Sequence, residues 1–403
     1  MSRAQTWSPW RVVVGLGSVS LAADMVYEGA RSVYGPLLAS LGASALVVGA
    51  VTGAGETMAL VLRLVSGTVA DRTGRYWSVT IAGYALTAVC VPLLAVTPHL
   101  GAAGLAVATV LILFERVGKA VRSPAKSTLL AAAAEQVGMG RGLGVHKALD
   151  QVGAFAGPLL VAGLIALAGG VLWPGFAVLA VPGGVAMALL VRTRRRMPAD
   201  PPTRSAAAAA RPALSARPAL PARFWWCAAG TGLCTAGLVT FGLLGLHLVT
   251  GRLVPAAGVP LLYAAAMAAE AVAALAVGEA YDRIGARVLL GLPVLVAGVP
   301  LLAFAGTLPV VVPGVLLWGA AVGLQDSTVK ALVADLVPAQ RRATAYGMFA
   351  AVQGAGALAG GVATGALYEH SLTALAVGVA LSQLAALVLL VRATRTRPAV
   401  RTE

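Results

Sequence analysis

The sequence predicts an all-α membrane protein of twelve transmembrane helices in two six-helix bundles. Three observations predict it. Hydrophobic residues make up 59% of the 403 and charged residues only 11%, against about 25% charged in soluble domains. The apolar residues fall in continuous runs of about 20, the length that crosses a bilayer as a helix. One charged, glycine-bearing loop also occurs twice. Residues 67–75 read Gly-Thr-Val-Ala-Asp-Arg-Thr-Gly-Arg, and residues 278–287 read Gly-Glu-Ala-Tyr-Asp-Arg-Ile-Gly-Ala-Arg, 211 positions later.

Composition excludes other classes. A soluble fold has too little surface for so much Leu, Val and Ala at a mean hydropathy of +0.87. A membrane β-barrel would alternate polar and apolar residues over ~10-residue strands, and these runs are continuous. The 48 glycines suit close packing of membrane helices. The net charge of +15 invites a nucleic-acid partner. The arginines, however, gather in alternate loops, as the positive-inside rule expects, so that partner is rejected. Cys90, Cys227 and Cys234 lie inside apolar runs without metal spacing and read as small core residues. The first apolar run is long and charged, unlike a cleavable signal peptide.

In chain order the expected spans are Arg11 to Leu38, Ala43 to Ala70, Tyr76 to Val96, Leu100 to Arg122, Gly142 to Ala168 and Leu172 to Val191. A basic stretch with proline and an alanine run, residues 192–223, reads as a cytoplasmic linker. Six further spans follow: Phe224 to Thr250, Val254 to Ala280, Val288 to Gly306, Leu308 to Leu332, Thr344 to Tyr368 and Leu372 to Val391. The domains are therefore 1–191, the linker 192–223, 224–392, and a tail 393–403. Arg72, Arg75, Lys126, Arg141, the linker, Arg283, Arg287, Arg341, Arg342 and the tail fall on one side. The opposite loops carry Arg252 as their one basic residue, so both termini are expected in the cytoplasm. Trp225 and Trp226 open span seven as interface anchors.

The two halves repeat beyond the loop. Lys126 to Leu129 matches Lys330 to Leu332 at an offset of 204, and Gly144 and Gly157 match Gly347 and Gly360 at 203. Six spans, a linker and six parallel-repeat spans is a layout in which two bundles rock about a central site.

With its Gly-x-x-x-Asp-Arg-x-Gly-Arg loop between spans two and three, the chain resembles the major facilitator superfamily, twelve-span type. Gly67, Asp71, Arg72, Gly74 and Arg75 match the signature one for one. The second copy matches at Gly278, Asp282, Arg283 and Gly285, with its last basic residue displaced to Arg287. The resemblance implies a secondary transporter in which this loop is a cytoplasmic gate. The Asp meets a helix N-terminus in the other half, where the dipole favours a carboxylate, and spans one, four, seven and ten line the cavity.

Charge at membrane depth costs at least ~2.5–3.5 kcal/mol, which makes each such residue a functional candidate. Span one places Asp24, Glu28 and Arg31 on one face, with Tyr27 and Tyr34 nearby. Two carboxylates one turn apart resist double ionisation, the requirement of a proton-coupling acid. The alternative is that Arg31 permanently neutralises Glu28. Glu56 stands near the middle of span two, as a coupling acid or as a structural partner of a span-four base. Span four carries a stripe of Glu115, Lys119, Arg122 and Lys126, with Arg116 alongside; such a stripe avoids lipid. Arg122 and Lys126 serve orientation equally well. In span five His146 and Asp150 form an i, i+4 pair. Its Gly153 to Pro158 run resembles the antiporter motif of drug:proton exporters, but lacks a second adjacent glycine; close helix packing accounts for it as well. In the second half, Gln325 and Asp326 of span ten are candidate substrate contacts, and Asp326 and Lys330 are spaced to pair.

Proton coupling is thus assigned to Asp24, Glu28, Glu56, Glu115, His146 and Asp150. The substrate cavity is assigned to Tyr27, Tyr34, Arg116, Lys119, Gln325 and Asp326. The expected function is proton-coupled efflux of a small organic solute by a monomer in a bacterial plasma membrane, with no cofactor and no metal. The alternative is uptake or export of an anionic metabolite held by Arg116 and Lys119. An enzyme is disfavoured, because four scattered histidines build no site and no phosphate loop is present. A transport-inactive sensor would not need so many buried charges.

Overall fold

The computed structural model describes residues 7–197, 220–337 and 341–395, and these are helical with no strand among them. The helices of the first half are α1 (Pro9–Arg31), α2 (Tyr34–Ser40), α3 (Ala45–Thr73), α4 (Tyr76–Leu93), α5 (Gly104–Ala134), α6 (Met139–Leu167), α7 (Trp173–Ala177) and α8 (Ala180–Arg196). Those of the second half are α9 (Ala222–Gly237), α10 (Phe241–Thr250), α11 (Gly258–Ile284), α12 (Gly291–Ala303), α13 (Leu308–Leu336), α14 (Arg342–His370) and α15 (Leu372–Arg395).

Eleven helical stretches among the described residues are long and apolar enough to cross a membrane. One of them, Gly258–Ala303, has 46 residues. Straight, it would extend roughly 70 Å, more than twice the hydrocarbon thickness. It breaks at Gly285, whose φ is +62°. Gly74, which follows α3, has φ +65°. These glycines stand at equivalent places in the two loop copies. Each ends its helix in the left-handed conformation that residues with a Cβ avoid.

Several expected boundaries are corrected. Span one is α1 plus α2, broken after Arg31. Span seven is α9 plus α10, broken at residues 238–240. There the freed Val239 carbonyl accepts a hydrogen bond from the Trp318 indole at 2.7 Å. Span six starts as the short α7, and α8 continues to Arg196, so Arg192, Arg194, Arg195 and Arg196 are helical rather than linker. Lys126 and Arg141 lie within α5 and α6, not in loops. The linker arginines Arg204, Arg211 and Arg217 and the tail beyond Arg395 lie outside the described residues.

The chain forms two compact units. One comprises Met1–Ser44, Ala54–Arg217 and Phe241–Ala264; the other comprises Ala45–Gly53, Pro218–Thr240 and Ala265–Glu403. The expected halves are thus each supplemented by a short segment of the other half.

In the first unit α6 lies directly on α1. A Cβ on Gly153 would overlap the Leu21 carbonyl, and one on Gly157 the Met25 carbonyl. Gly83 of α4 and Gly118 of α5 each face the other's carbonyl, at 2.7 and 2.8 Å from an added Cβ. Val13, Leu16, Trp77, Ala133 and Leu190 bring α1, α4, α5 and α8 into one core. Gly35 of α2 has no room for a side chain against the Gly242 carbonyl of α10.

The second unit repeats the arrangement. Gly356 of α14 meets the Gly232 carbonyl of α9, and Gly360 meets that of Ala236. Gly356 and Gly360 lie 203 residues beyond Gly153 and Gly157, and their α9 partners lie 211 beyond Leu21 and Met25. Phe224, Val333 and Phe349 close its core. The first turns of α3 also belong to this unit. Gly49 and Gly361 abut backbone to backbone. Thr52 and Thr240 hydroxyls hydrogen-bond at 2.8 Å.

Candidate functional site

The buried charges of the first unit form two networks along α1, α3, α5 and α6. Their helices approach closely because glycine lies where a side chain would intervene. The stem of Arg116 runs across Gly55 of α3, 3.0 Å from where a Cβ would stand. The guanidinium therefore reaches Glu56, one residue on.

The first network joins Glu28, Arg31, Glu56, Glu115 and Arg116. Glu56 is 2.9 Å from Arg31 and 3.4 Å from Arg116. Arg116 is also 3.5 Å from Glu115, and Arg31 is 3.7 Å from Glu28. The Glu115 carboxylate is fully buried and the Arg116 side chain is only 2% exposed. Tyrosines complete the set. Tyr34 donates to Glu115 Oε2 at 3.3 Å, Tyr27 accepts from Arg116, and Tyr263 of α11 donates to Glu28. The Arg116 guanidinium stacks 4.8 Å from the Tyr27 ring centre, and Lys119 Nζ lies 3.2 Å from the same centre. Phe241 packs edge-on against Tyr263 at 4.5 Å. Glu115 Oε1 is buried without a hydrogen-bond partner among the described residues.

The second network lies further toward the arginine-rich end. Lys126 of α5 donates to Ser20 of α1 at 2.9 Å, and Ser20 pairs with His146 Nε2 of α6 at 3.0 Å. Asp150 lies 3.9 Å from Lys126 and 3.6 Å from Lys147. Asp24 is 3.9 Å from Arg122. Arg122 is held by Thr87 at 2.7 Å and stacks on Tyr84 at 4.6 Å.

The structure therefore splits the one charged face expected of span one. Asp24 serves the second network, while Glu28 and Arg31 serve the first. His146 bonds to Ser20, and Asp150, one turn along α6, pairs with Lys126 and Lys147. The Gly153 to Pro158 run packs α6 on α1. Arg122 and Lys126, read partly as orientation signals, are internal network members. Tyr263, Ser20, Tyr84 and Thr87 escape sequence reasoning, because a lone hydroxyl in an apolar run carries no periodic signal.

Candidates outside these networks stand as follows. Gln325 is buried and donates to Thr235 at 3.1 Å in the second unit. Asp326 is exposed; the Lys330 side chain lies outside the described ones. In the signature loop Asp71, Arg72 and Arg75 are exposed, and Asp71 accepts from the Tyr76 hydroxyl at 3.1 Å. Gly67 rests on Pro124 of α5, at 3.4 Å from an added Cβ. In the second copy Arg283 pairs with Glu279. Asp282 is exposed, as is Arg283, and Arg287 is exposed too. Among the described residues no cluster of His, Cys, Asp and Glu could hold a metal ion.

The chain matches the Major Facilitator Superfamily over residues 16–253 and again over 244–403. It is 52% identical over 394 residues to uncharacterized proteins of Mycobacterium bovis and Mycobacterium tuberculosis, covering 97% of this chain and 95% of theirs. Its fold is similar to that of a mutant form of the nucleoside transporter NupG, with a TM-score of 0.76 at 14% identity, covering 95% of this chain and 100% of that one. It is also similar to a POT family transporter crystallised with 5-aminolevulinic acid, with a TM-score of 0.76 at 11% identity, covering 96% and 97%. A D-xylose-proton symporter gives a TM-score of 0.65 at 13% identity, covering 97% and 98%. The chain is a multi-pass membrane protein that belongs to the Major Facilitator Superfamily, whose fold is that of secondary membrane transporters rather than enzymes.

Proposed function

We propose that this chain is a twelve-span, proton-coupled secondary transporter that exports a small organic solute by alternating access. It acts as a monomer in a bacterial plasma membrane, with both termini cytoplasmic. The arginine-rich loops support that orientation, and the break at Gly285 supports counting Gly258–Ala303 as two crossings. The signature residues Asp71, Arg72 and Arg75, with Asp282, Arg283 and Arg287, serve the cytoplasmic gate.

One observation carries the coupling. Three carboxylates, Glu28, Glu56 and Glu115, share two guanidinium groups, Arg31 and Arg116. A proton on one carboxylate brings that set to neutrality and frees a hydrogen bond. Its departure restores the full pairing. Such a change shifts a two-state element when the states differ in how well they tolerate the charge. Asp24, Asp150 and His146 form the proton's further path toward the arginine-rich end.

The anionic-metabolite reading has Lys119 in its favour, since Lys119 joins no ion pair among the described residues and rests on Tyr27. Arg116 counts against it, being already committed to Glu56 and Glu115.

The test uses proteoliposomes loaded with a pH dye and challenged with lipophilic organic cations, neutral amphiphiles and small carboxylates. Solute addition should move protons in the wild type. Glu115→Gln should abolish that movement while leaving solute exchange at equal pH. Full proton-linked flux in each of Glu28→Gln, Glu56→Gln and Glu115→Gln would overturn the coupling. Flux of carboxylates alone, lost with Lys119→Gln, would establish the second reading.

A further inference from the structure

The first unit carries a cavity away from both charge networks. It has a volume of about 560 Å³ and opens between the start of α1 and the end of α8. Trp7, Trp10, Arg11, Val14, Leu189 and Arg192 line it. Its shape is fixed by the segment preceding α1. The Trp7 backbone N–H donates to the Arg196 carbonyl at 3.1 Å, tying that segment to the end of α8. The Trp7 ring lies against Gly15, where a Cβ would stand 2.7 Å from it.

The cavity is polar at one end and apolar at the other. Arg11 and Arg192 mark the end nearer the helix termini. Val14 and Leu189 lie a turn deeper on α1 and α8. The Arg192 guanidinium stands 5.9 Å from the Trp7 ring centre, and that of Arg141 5.8 Å from the Trp10 ring centre. Among the described residues no acidic side chain lines the cavity. Arg11, Arg141 and Arg192 make no ion pair among the described residues. Val14 is 45% and Trp10 37% exposed, so the apolar wall is uncovered.

We propose that this cavity binds an anionic glycerophospholipid. Its phosphate is held by Arg11 and Arg192, its glycerol region lies against the indoles, and an acyl chain runs along Val14 and Leu189. Cations at one end, indoles along the wall and an apolar floor at the other end match the kinds of group in such a lipid at the bilayer interface. The volume falls in the ordinary range for a small-molecule site. The chain's own linker is a poor occupant, because residues 198–221 bring Arg204, Arg211 and Arg217 against the single acid Asp200.

Native mass spectrometry of the full chain tests this, with delipidated protein titrated with phosphatidylglycerol, phosphatidylcholine or inorganic phosphate. One phosphatidylglycerol should be retained under activation that strips phosphatidylcholine. Arg11→Gln with Arg192→Gln should weaken it about thirtyfold, at about 1 kcal/mol for each arginine. The control Arg194→Gln with Arg195→Gln removes two neighbouring charges from α8 and should leave retention unchanged. Val14→Trp keeps both cations, fills the apolar wall from an exposed position, and should also lose the lipid. Equal loss in the control pair, retention in Arg11→Gln/Arg192→Gln, or retention in Val14→Trp would overturn the proposal. So would displacement of the lipid by inorganic phosphate, which would mark a small-anion site.

Discussion

The Glu369 carboxylate accepts a hydrogen bond at 2.9 Å from the backbone N–H of Leu46, in the first turn of α3. A residue near the end of α14 thus supplies a charge that the N-terminus of α3 lacks in its own first turn. Unsatisfied N–H groups and the helix dipole both favour an anion there. The contact belongs to the second unit, beside the Gly49–Gly361 backbone contact and the Thr52–Thr240 hydrogen bond.

Removing the carboxylate should loosen this corner. Glu369→Ala forfeits a charged cap worth about 1 kcal/mol, which is roughly a fivefold change in an opening equilibrium. A cysteine at Thr52, a buried position, should react about fivefold faster with maleimide in the Glu369→Ala background. Glu369→Gln, which keeps an acceptor, should fall between. Equal rates in all three backgrounds would mean that the contact holds nothing shut.

Glycine substitutions should divide sharply by what faces them. Gly49→Ala places a methyl group on the Gly361 carbonyl, which is backbone and cannot swing aside. Overpacking of this kind costs about 1–3 kcal/mol and should lower the melting temperature by several degrees. Gly163→Ala meets nothing within 4 Å and should melt like the wild type. A pair of indistinguishable melting curves would contradict the close approach.

Arg116 should be the least replaceable side chain in the first unit. Arg116→Met leaves Glu56 and the buried Glu115 without that cation. Breaking a buried pair from one side costs about 3–5 kcal/mol, so folded yield should collapse. Adding Glu56→Gln and Glu115→Gln should recover much of the yield without recovering transport. If the triple variant is no better than the single one, packing around Gly55 rather than charge explains the loss.

Gly285 isolates a conformational effect, since an added Cβ meets nothing within 4 Å among the described residues, at φ +62°. Gly285→Ala should cost about 1–2 kcal/mol from the left-handed backbone alone. Gly285→Asn should cost less, because asparagine tolerates that region. Melting of the purified protein distinguishes them, and an alanine variant as stable as asparagine would argue that the helix end rearranges.

Much of the fold was legible because membrane burial writes itself as length, and duplication writes itself twice. The loop copies at residues 67 and 278 led to Gly74 and Gly285, which share one backbone conformation. The Gly157–Gly360 match led to two glycines lying on equivalent carbonyls. The α5 stripe from Glu115 to Lys126 pointed inward, as its charges required. What periodicity did not give was partnership. Nothing in sequence distinguishes Ser20 as the bridge between Lys126 and His146, or Tyr263 as the donor to Glu28, 235 positions away. The break after Gly237 was also hidden, because no proline announces it and Trp318, from α13, satisfies the carbonyl it frees.

The three cysteines have a practical consequence. Cys90, Cys227 and Cys234 are all free thiols and all buried. A water-borne thiol reagent should therefore find the native chain blank, so that the unaltered protein serves as its own cysteine-free background. Cys227 and Cys234 lie two turns apart on α9. Any state of the transporter that admits water along that helix would announce itself at two native positions, with no substitution made.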